Sequence, residues 1–198
     1  MSNRSTAIII LAAGNSSRLG YPKQLLEYEG RSLLQISIDA ADLCEADSKI
    51  LVLGANHEDI VNTIDLKSVK LTVNQEWGLG MSKSLEVALR QLLNQDPALD
   101  QVLVLLCDQP YVTSSLLNAM IATQATTGKG IVACKYQETL GVPVLFEKKY
   151  FNELLDLSGN MGAKKLVYKH NDDLSTVFFP EGKIDIDTKE DYDRLLGK

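Results

Sequence analysis

The sequence predicts an α/β fold in which helices cover both faces of a mostly parallel β-sheet. Short apolar runs rich in β-branched residues alternate with longer segments of helical periodicity, which is the pattern of repeated βα units. The first four apolar runs are closely followed by Gly, Asn or Asp, as is typical of buried strands. The chain has 198 residues, of which 45% are hydrophobic. No linker, repeat or low-complexity tract divides residues 1–198, so a single domain is expected.

The predicted elements follow this alternation along the chain. Strands are predicted at Ala7–Leu11, Ile50–Leu53, Lys70–Val73, Gln101–Leu106, Ile131–Cys134, Val142–Phe146 and Ser175–Phe179. Between several of the strands, apolar residues recur every three or four positions, which predicts amphipathic helices. The predicted helical segments are Ser32–Cys44, Ser82–Leu93, Thr113–Gly128 with a Thr cap and a closing Gly, Ala163–Tyr168, and Lys189–Leu196.

Charge and cysteine content exclude several classes of partner. The net charge is −6 and no Lys/Arg run is present, which argues against a nucleic-acid partner because phosphate backbones are bound by clustered cations. Cys44, Cys107 and Cys134 fit neither a disulfide framework nor a CxxC site, which favours a reducing, cytoplasmic location. The apolar run Ala7–Ala13 is too short to cross a bilayer and leads into no cleavage pattern, so neither a membrane partner nor a signal peptide is expected.

The first candidate site is the loop directly after the first strand. Ligands of open α/β sheets bind outside the carboxyl ends of the strands. The small residues here let backbone N–H groups approach a ligand, and two permanent cations follow. This composition predicts a polyphosphate-binding loop that is neither a P-loop nor a GxGxxG loop, and a solvated turn is the alternative. The residues concerned are Leu11, Ala12, Ala13, Gly14, Arg18 and Lys23.

A second glycine-rich loop leads into the helix predicted from residue 82. Gly78 and Gly80 permit close backbone approach, while Ser82 and Ser84 lie where free N–H groups favour polar or anionic ligands. One interpretation is a ligand-facing loop and helix start. The other is a plain Ser cap, with Trp77 as a packing anchor.

Aspartates stand in the two remaining candidate segments. Asp108 comes at the carboxyl end of a strand, where one carboxylate can hold Mg²⁺ together with phosphate oxygens and water. The alternative is a turn cap before Pro110. Asp185 and Asp187 alternate along a segment expected to be extended and are therefore expected to face the same side, while Thr188 can cap the helix that follows.

These segments resemble the nucleotidyltransferases, especially the molybdenum cofactor cytidylyl- and guanylyltransferases. The run Leu11–Lys23 is similar to the signature LAAGxSxRxGxPK of that family. Runs 74–85, 105–110 and 185–192 are similar to its NxxWxxGMxxSL, LCDQP and DIDTPEDY elements. The resemblance implies a three-layer, Rossmann-like sheet of nucleotide-diphospho-sugar transferase type. It also places Gly80 and Ser84 at the base pocket.

The resemblance assigns chemical roles to the remaining candidates. It implies that the backbone of residues 11–14 contacts the nucleotide, that Arg18 binds the β- and γ-phosphates, and that Lys23 neutralises the α-phosphate. It also implies that Asp187 completes a Mg²⁺ site opposite Asp108. No Ser/His or Cys/His pair is needed, because an acceptor phosphate is already ionised.

The implied reaction is transfer of CMP, or GMP, from a nucleoside triphosphate to the phosphate of molybdopterin, with release of pyrophosphate. The product would serve a molybdenum hydroxylase apo-enzyme. The Ala12-Ala13 pair favours CTP. Two alternatives stay open: a cytidylyltransferase for a sugar or polyol phosphate, and a non-catalytic carrier of the molybdenum cofactor.

Three positions near the expected acceptor depart from the family pattern. The family often has His, Asp and Arg where this chain has Val142, Asn160 and Lys164. Lys keeps the positive charge of Arg but lacks the planar fork that matches a phosphate. These three positions therefore change the part of the family pattern that lies near the acceptor.

Overall fold

The computed structural model describes residues 4–159 and 162–198, and a seven-stranded sheet forms its centre. The strands are β1 (Thr6–Ala12), β2 (Glu27–Tyr28), β3 (Arg31–Ser32), β4 (Ser48–Leu53), β5 (Lys70–Val73), β6 (Gln101–Leu106), β7 (Ile131–Tyr136), β8 (Thr139–Glu147) and β9 (Leu174–Phe178). The helices are α1 (Leu33–Asp42), α2 (His57–Val61), α3 (Met81–Gln95), α4 (Ser114–Thr127), α5 (Phe151–Leu155), α6 (Lys164–Lys169) and α7 (Lys189–Leu195).

The strand order is β5-β4-β1-β6-β8-β7-β9, and the sheet is mostly parallel, as predicted. Strand β8 is the exception, because it runs antiparallel to both β6 and β7. Its register pairs Val104 with Val144 and Gln101 with Glu147. The amino end of β8 consequently lies beside the carboxyl end of β6, at the edge of the sheet where the parallel strands also end.

Alternation along β1 divides the core into two layers, one on each face of the sheet. Ile9 packs with α3, α5 and α6 on one face, whereas Ile8 and Ile10 pack with α1, α2 and α4 on the other. All three side chains are fully buried. A central strand that is apolar on both faces is what a helix-covered parallel sheet requires. The predicted three-layer arrangement is therefore confirmed.

Several caps also agree with the sequence. Ser32 and Thr113 accept hydrogen bonds from the backbone at the starts of α1 and α4, and Gly128 ends α4 in a left-handed conformation. Thr188 and Asp191 form a reciprocal capping box at the start of α7. These bonds satisfy backbone groups that a helix end leaves open.

Three short elements were not predicted, namely the β2–β3 hairpin, α2 and α5. The hairpin turns at Glu29 and Gly30, both with positive φ, and its strands have only two residues each. Helices α2 and α5 have five residues each. Elements this short give no periodicity to detect. Within the described ranges, every helix is too short or too polar to cross a lipid bilayer.

Candidate functional site

The loop after β1 is folded back onto the strand by a buried glutamine. Gln24 donates from Nε2 to the backbone oxygens of Ala12 at 2.7 Å and Gly14 at 2.9 Å, and is only 1% exposed. The hydroxyl of Ser16 accepts a hydrogen bond from the backbone N–H of Lys23 at 3.0 Å. These bonds fix the loop so that the Lys23 side chain returns to the carboxyl edge of the sheet.

Lys23 joins two carboxylates that are distant in sequence. Its Nζ lies 2.6 Å from Oδ2 of Asp108 and 2.9 Å from Oδ1 of Asp187. Arg18 binds the other oxygen of Asp187 at 2.8 Å. The backbone N–H of Ile186 donates to the carbonyl of Asp108 at 3.1 Å, which fixes the two acidic segments to each other. The structure thus brings together Arg18, Lys23, Asp108 and Asp187, as the sequence predicted.

The two carboxylates keep Lys23 charged. Burial alone would lower the pKa of Lys23, but attraction by Asp108 and hydrogen bonds to both carboxylates raise it above its ordinary value. Burial would raise the pKa of Asp187, yet the hydrogen bond from Lys23 and the charges of Lys23 and Arg18 lower it. At neutral pH the site therefore holds the Lys23 ammonium beside an ionised Asp187.

A cleft of about 350 Å³ opens beside this cluster. Its floor is the backbone after β1, and a Cβ added to Gly14 would meet nothing within 4 Å, so the glycine leaves open space at this point. Arg18 does not line the cleft; its side chain is 68% exposed and reaches the cluster from outside. Of the site residues predicted from the sequence, those lining the cleft are Leu11, Ala12, Ala13, Gly14, Lys23, Gly78, Gly80, Ser84 and Asp108.

The second loop forms the opposite wall of the cleft. Gly80 precedes α3 with a φ of 104°, a conformation that favours glycine, and Ser84 lies one turn into the helix. The buried Asn74 donates to Ser84 Oγ at 2.9 Å and accepts from the backbone N–H of Glu76 at 2.9 Å. Trp77 packs against the core and also lines the cleft, so its interpretation as an anchor and the ligand-wall interpretation both apply. The Ser cap is wrong, because Gly80 is the capping residue of α3 and Ser82 donates its hydroxyl to Gly159 instead.

Gly54 allows the two loops to lie close together, because it has no side chain. It was not among the residues predicted from the sequence. A Cβ at this position would lie 2.6 Å from Cβ of Trp77 and 2.7 Å from the carbonyl oxygen of Ala13. The next residue, Ala55, donates its N–H to that same oxygen at 3.1 Å. The only sequence signal was a glycine directly after a predicted strand, which is also the ordinary sign of a turn.

Asp185 and Cys107 complete the description of the acidic edge. Asp185 does not share the partners of Asp187; it lines a separate groove with Tyr111 and Arg194, and burial and the nearby Asp108 raise its pKa. Burial raises the pKa of Cys107 to about 12, so this thiol is not a nucleophile at neutral pH. Cys107 is instead part of the buried core.

The donor set suits a hard divalent cation. Oδ1 of Asp108 is buried and has no hydrogen-bond partner among the described residues. Magnesium commonly takes one or two carboxylates and completes its shell with phosphate oxygens and water. Across the described ranges no group of three or more His, Cys, Asp or Glu side chains gathers, so a metal held entirely by protein ligands does not fit. Asp108 and Asp187 fit a metal that arrives with a phosphate ligand.

The site lies at the carboxyl edge of an α/β sheet and combines a glycine-rich cleft with two cations and two acids. This combination is typical of enzymes that bind a nucleotide and transfer a phosphate-containing group. Residues 8–174 match the family model described as "MobA-like NTP transferase domain", and the chain belongs to this family. The sequence-based recognition is confirmed at this level.

Relatives with different activities are similar to this chain. Nicotine blue oxidoreductase of Paenarthrobacter nicotinovorans is 30% identical over 119 residues, covering 58% of this chain and 55% of that protein, so the chain spans about half of that relative. The 2-C-methyl-D-erythritol 4-phosphate cytidylyltransferase of Thermotoga neapolitana is 33% identical over 135 residues, covering 67% and 60%.

Solved structures agree with the fold over its full length. Rv0371c from Mycobacterium tuberculosis H37Rv is 31% identical, covers 100% of both chains and superposes with a TM-score of 0.85. A structure of Rv0371c in complex with manganese is 29% identical, covers 98% of this chain and 99% of that one, and has a TM-score of 0.82.

Proposed function

We propose that this chain moves CMP from CTP to the phosphate of molybdopterin and releases pyrophosphate. The observation that carries the proposal is the contact of one ammonium, that of Lys23, with both Asp108 and Asp187 at the end of the cleft. Membership of the MobA-like family and the unpartnered oxygen of Asp108 support it. The similarity to a cytidylyltransferase supports CTP as the donor.

The proposed step needs no acid or base from the protein. An oxygen of the acceptor phosphate forms a bond to the α-phosphorus of CTP, the bond from that phosphorus to the bridging oxygen breaks, and pyrophosphate leaves with the electron pair. The acceptor phosphate is ionised at neutral pH, so no proton has to be removed from it. Catalysis then consists of positioning and charge stabilisation.

The residues of the cleft would divide this work. The backbone N–H groups of residues 11–14 would bind the nucleotide, and Arg18 would reach the outer phosphates from the rim. Lys23, whose raised pKa keeps it protonated, would donate hydrogen bonds to the phosphate oxygens. Asp108 and Asp187 would hold Mg²⁺, which when bound neutralises the charge that develops on those oxygens.

The test is a pyrophosphate-release assay with CTP, GTP, ATP or UTP, each with Mg²⁺ and molybdopterin. We expect release with CTP, and we expect Asp108→Asn and Asp187→Asn to reduce it at least 100-fold. The matched control is Asp39→Asn, because Asp39 also pairs with two cations, Arg31 and Lys67, but lies outside the cleft. Its turnover should equal that of the wild type.

Each competing function predicts a different result. A non-catalytic carrier would bind molybdopterin and release no pyrophosphate. A polyol phosphate cytidylyltransferase would release it with 2-C-methyl-D-erythritol 4-phosphate instead. Wild-type turnover in Asp108→Asn would remove that carboxylate from the mechanism. A product found to reconstitute a molybdenum hydroxylase in the cytoplasm would complete the assignment.

A further inference from the structure

A second, mostly apolar chamber of about 240 Å³ adjoins the nucleotide cleft. The two cavities share Leu11, Met81 and Leu106 as walls, so a ligand in the chamber lies next to one in the cleft. The chamber is walled mainly by side chains that offer no hydrogen bonds, among them Leu85, Val104 and Val142.

Few of the described side chains that line the chamber are polar. Ser82 uses its hydroxyl hydrogen on the backbone oxygen of Gly159 at 2.7 Å. Lys164 stands at the chamber with its ammonium 6.0 Å from the ring centre of Tyr168, and within the described residues it makes no ion pair. Among the described residues that line the chamber, the remaining polar side chain is Tyr136, at the carboxyl end of β7.

Tyr136 lies in a narrow slot between Gly141 and Gly182. A Cβ on Gly141 would lie 2.0 Å from the phenol oxygen, and one on Gly182 would lie 2.6 Å from ring carbon Cδ1. The hydroxyl is therefore fixed over Gly141, which is itself a wall of the chamber. Tyr136 Oη has no hydrogen-bond partner in residues 4–159 or 162–198, although the side chain is half-buried.

A buried glutamine ties this slot to the acidic edge. Gln109 is 3% exposed and donates from Nε2 to the backbone oxygens of Val142 at 3.2 Å and Gly182 at 3.1 Å. Both sides of the slot are thus fixed to the residue after Asp108. The phenol is held at a set position relative to the carboxylates rather than left to rotate at the surface.

We infer that Tyr136 is a specificity-determining residue of an acceptor chamber that takes a flat heteroaromatic ring bearing a phosphate. This inference rests on the proposed function. The apolar walls would bury a planar ring, the phenol would donate to one of its ring heteroatoms, and Lys164 would face the anionic end. A polyhydroxylated acceptor would lose hydrogen bonds to water that these walls do not replace.

The test measures binding apart from turnover. The probes are a pterin with one phosphate on a one-carbon arm and 2-C-methyl-D-erythritol 4-phosphate, titrated against the wild type, Tyr136→Phe and Gly141→Ala. We expect saturable binding of the pterin and at least tenfold weaker binding of the polyol. Loss of one neutral hydrogen bond should weaken pterin binding about tenfold in Tyr136→Phe. Gly141→Ala, which displaces the hydroxyl, should weaken it at least as much.

The controls separate this inference from a structural role and from the proposed function. Tyr28→Phe removes a phenol that pairs with Tyr111 at 3.2 Å outside the chamber, and should bind the pterin like the wild type. CTP affinity should be unchanged in Tyr136→Phe. Equal pterin affinity in Tyr136→Phe and the wild type, or no saturable binding to the wild type, overturns the inference.

The two proposals fail in different ways. Tyr136-dependent pterin binding without pyrophosphate release would refute nucleotide transfer and leave the chamber assigned. Release with an unchanged KM for molybdopterin in Tyr136→Phe would support transfer and overturn the role of the phenol.

Discussion

Replacing Lys23 with Met should destabilise the protein by about 3 kcal/mol at neutral pH. The side chains of Lys23 and Asp108 are only 17% and 9% exposed, so the change leaves a buried carboxylate without its cation. Removing one partner of a buried ion pair typically costs about 3–5 kcal/mol. We take the lower end because Asp187, the second partner, is 34% exposed and can turn towards water. The methionine retains most of the apolar contacts of the lysine stem.

The assay is urea denaturation of a double-mutant cycle. Neutralising the acid in Lys23→Met/Asp108→Asn should recover about 2 kcal/mol, since the uncompensated charge is then gone. Arg18→Met is the matched control: it also loses a cation paired with Asp187, but that guanidinium is 68% exposed, so the cost should stay under about 1 kcal/mol.

The pH dependence gives the same pair a second test. Because folding raises the pKa of Lys23, its contribution is fully present below the ordinary lysine pKa and is lost as the pH rises through the raised value. The stability gap between wild type and Lys23→Met should therefore persist from pH 7 to pH 10. Equal urea midpoints for Lys23→Met and Arg18→Met, or no recovery in the double variant, would refute a buried, paired ammonium.

Four further substitutions test the two loops and an ion pair far from the cleft. Gly54→Ala should lower the free energy of unfolding in urea by about 1–3 kcal/mol, because the added Cβ meets backbone. Gly14→Ala should unfold like the wild type but bind CTP more weakly, since its Cβ enters the open cleft. Equal stability of the two alanine variants would contradict this. Gln24→Ala should lose about 2 kcal/mol by leaving two carbonyls unpaired, and an unchanged urea midpoint would argue against that. Asp173, near the start of β9, is desolvated by burial, but its hydrogen bond with Lys149 lowers its pKa to about 2. The stabilisation by this carboxylate is present above about pH 4 and is lost as the pH falls through 2. Asp173→Asn should therefore weaken the dependence of the free energy of unfolding on pH below about pH 4, and an unchanged dependence would refute this.

Most of the sheet could be predicted because its strands are long apolar runs. Lys70–Val73 and Gln101–Leu106 match their predicted bounds, and the other predicted strands differ by a few residues at their ends. The direction of β8 could not be predicted, since alternation marks a strand without giving its orientation. The two-residue strands of the hairpin carry no pattern at all.

The rule that ligands gather at the carboxyl ends of strands pointed to the loop of Lys23 and to Asp108, whereas the family resemblance placed Asp187 opposite Asp108. In the sequence, 85 and 164 positions separate the lysine from the two acids. The supporting contacts gave no such signal. Gln24 and Gly54 act through backbone atoms of residues elsewhere in the chain, and an isolated glutamine or glycine looks the same whether it supports a site or not.

The antiparallel direction of β8 determines which part of the chain lines the chamber beside the cleft. A parallel strand would bring its last residues to this edge, but β8 brings its first, so Gly141 and Val142 meet the end of β6. Half of the described residues that line the chamber come from chain beyond residue 130, while those that line the cleft all come from chain before residue 110. On the proposed function, substitutions beyond residue 130 would change the acceptor chamber while leaving the residues that line the donor cleft in place.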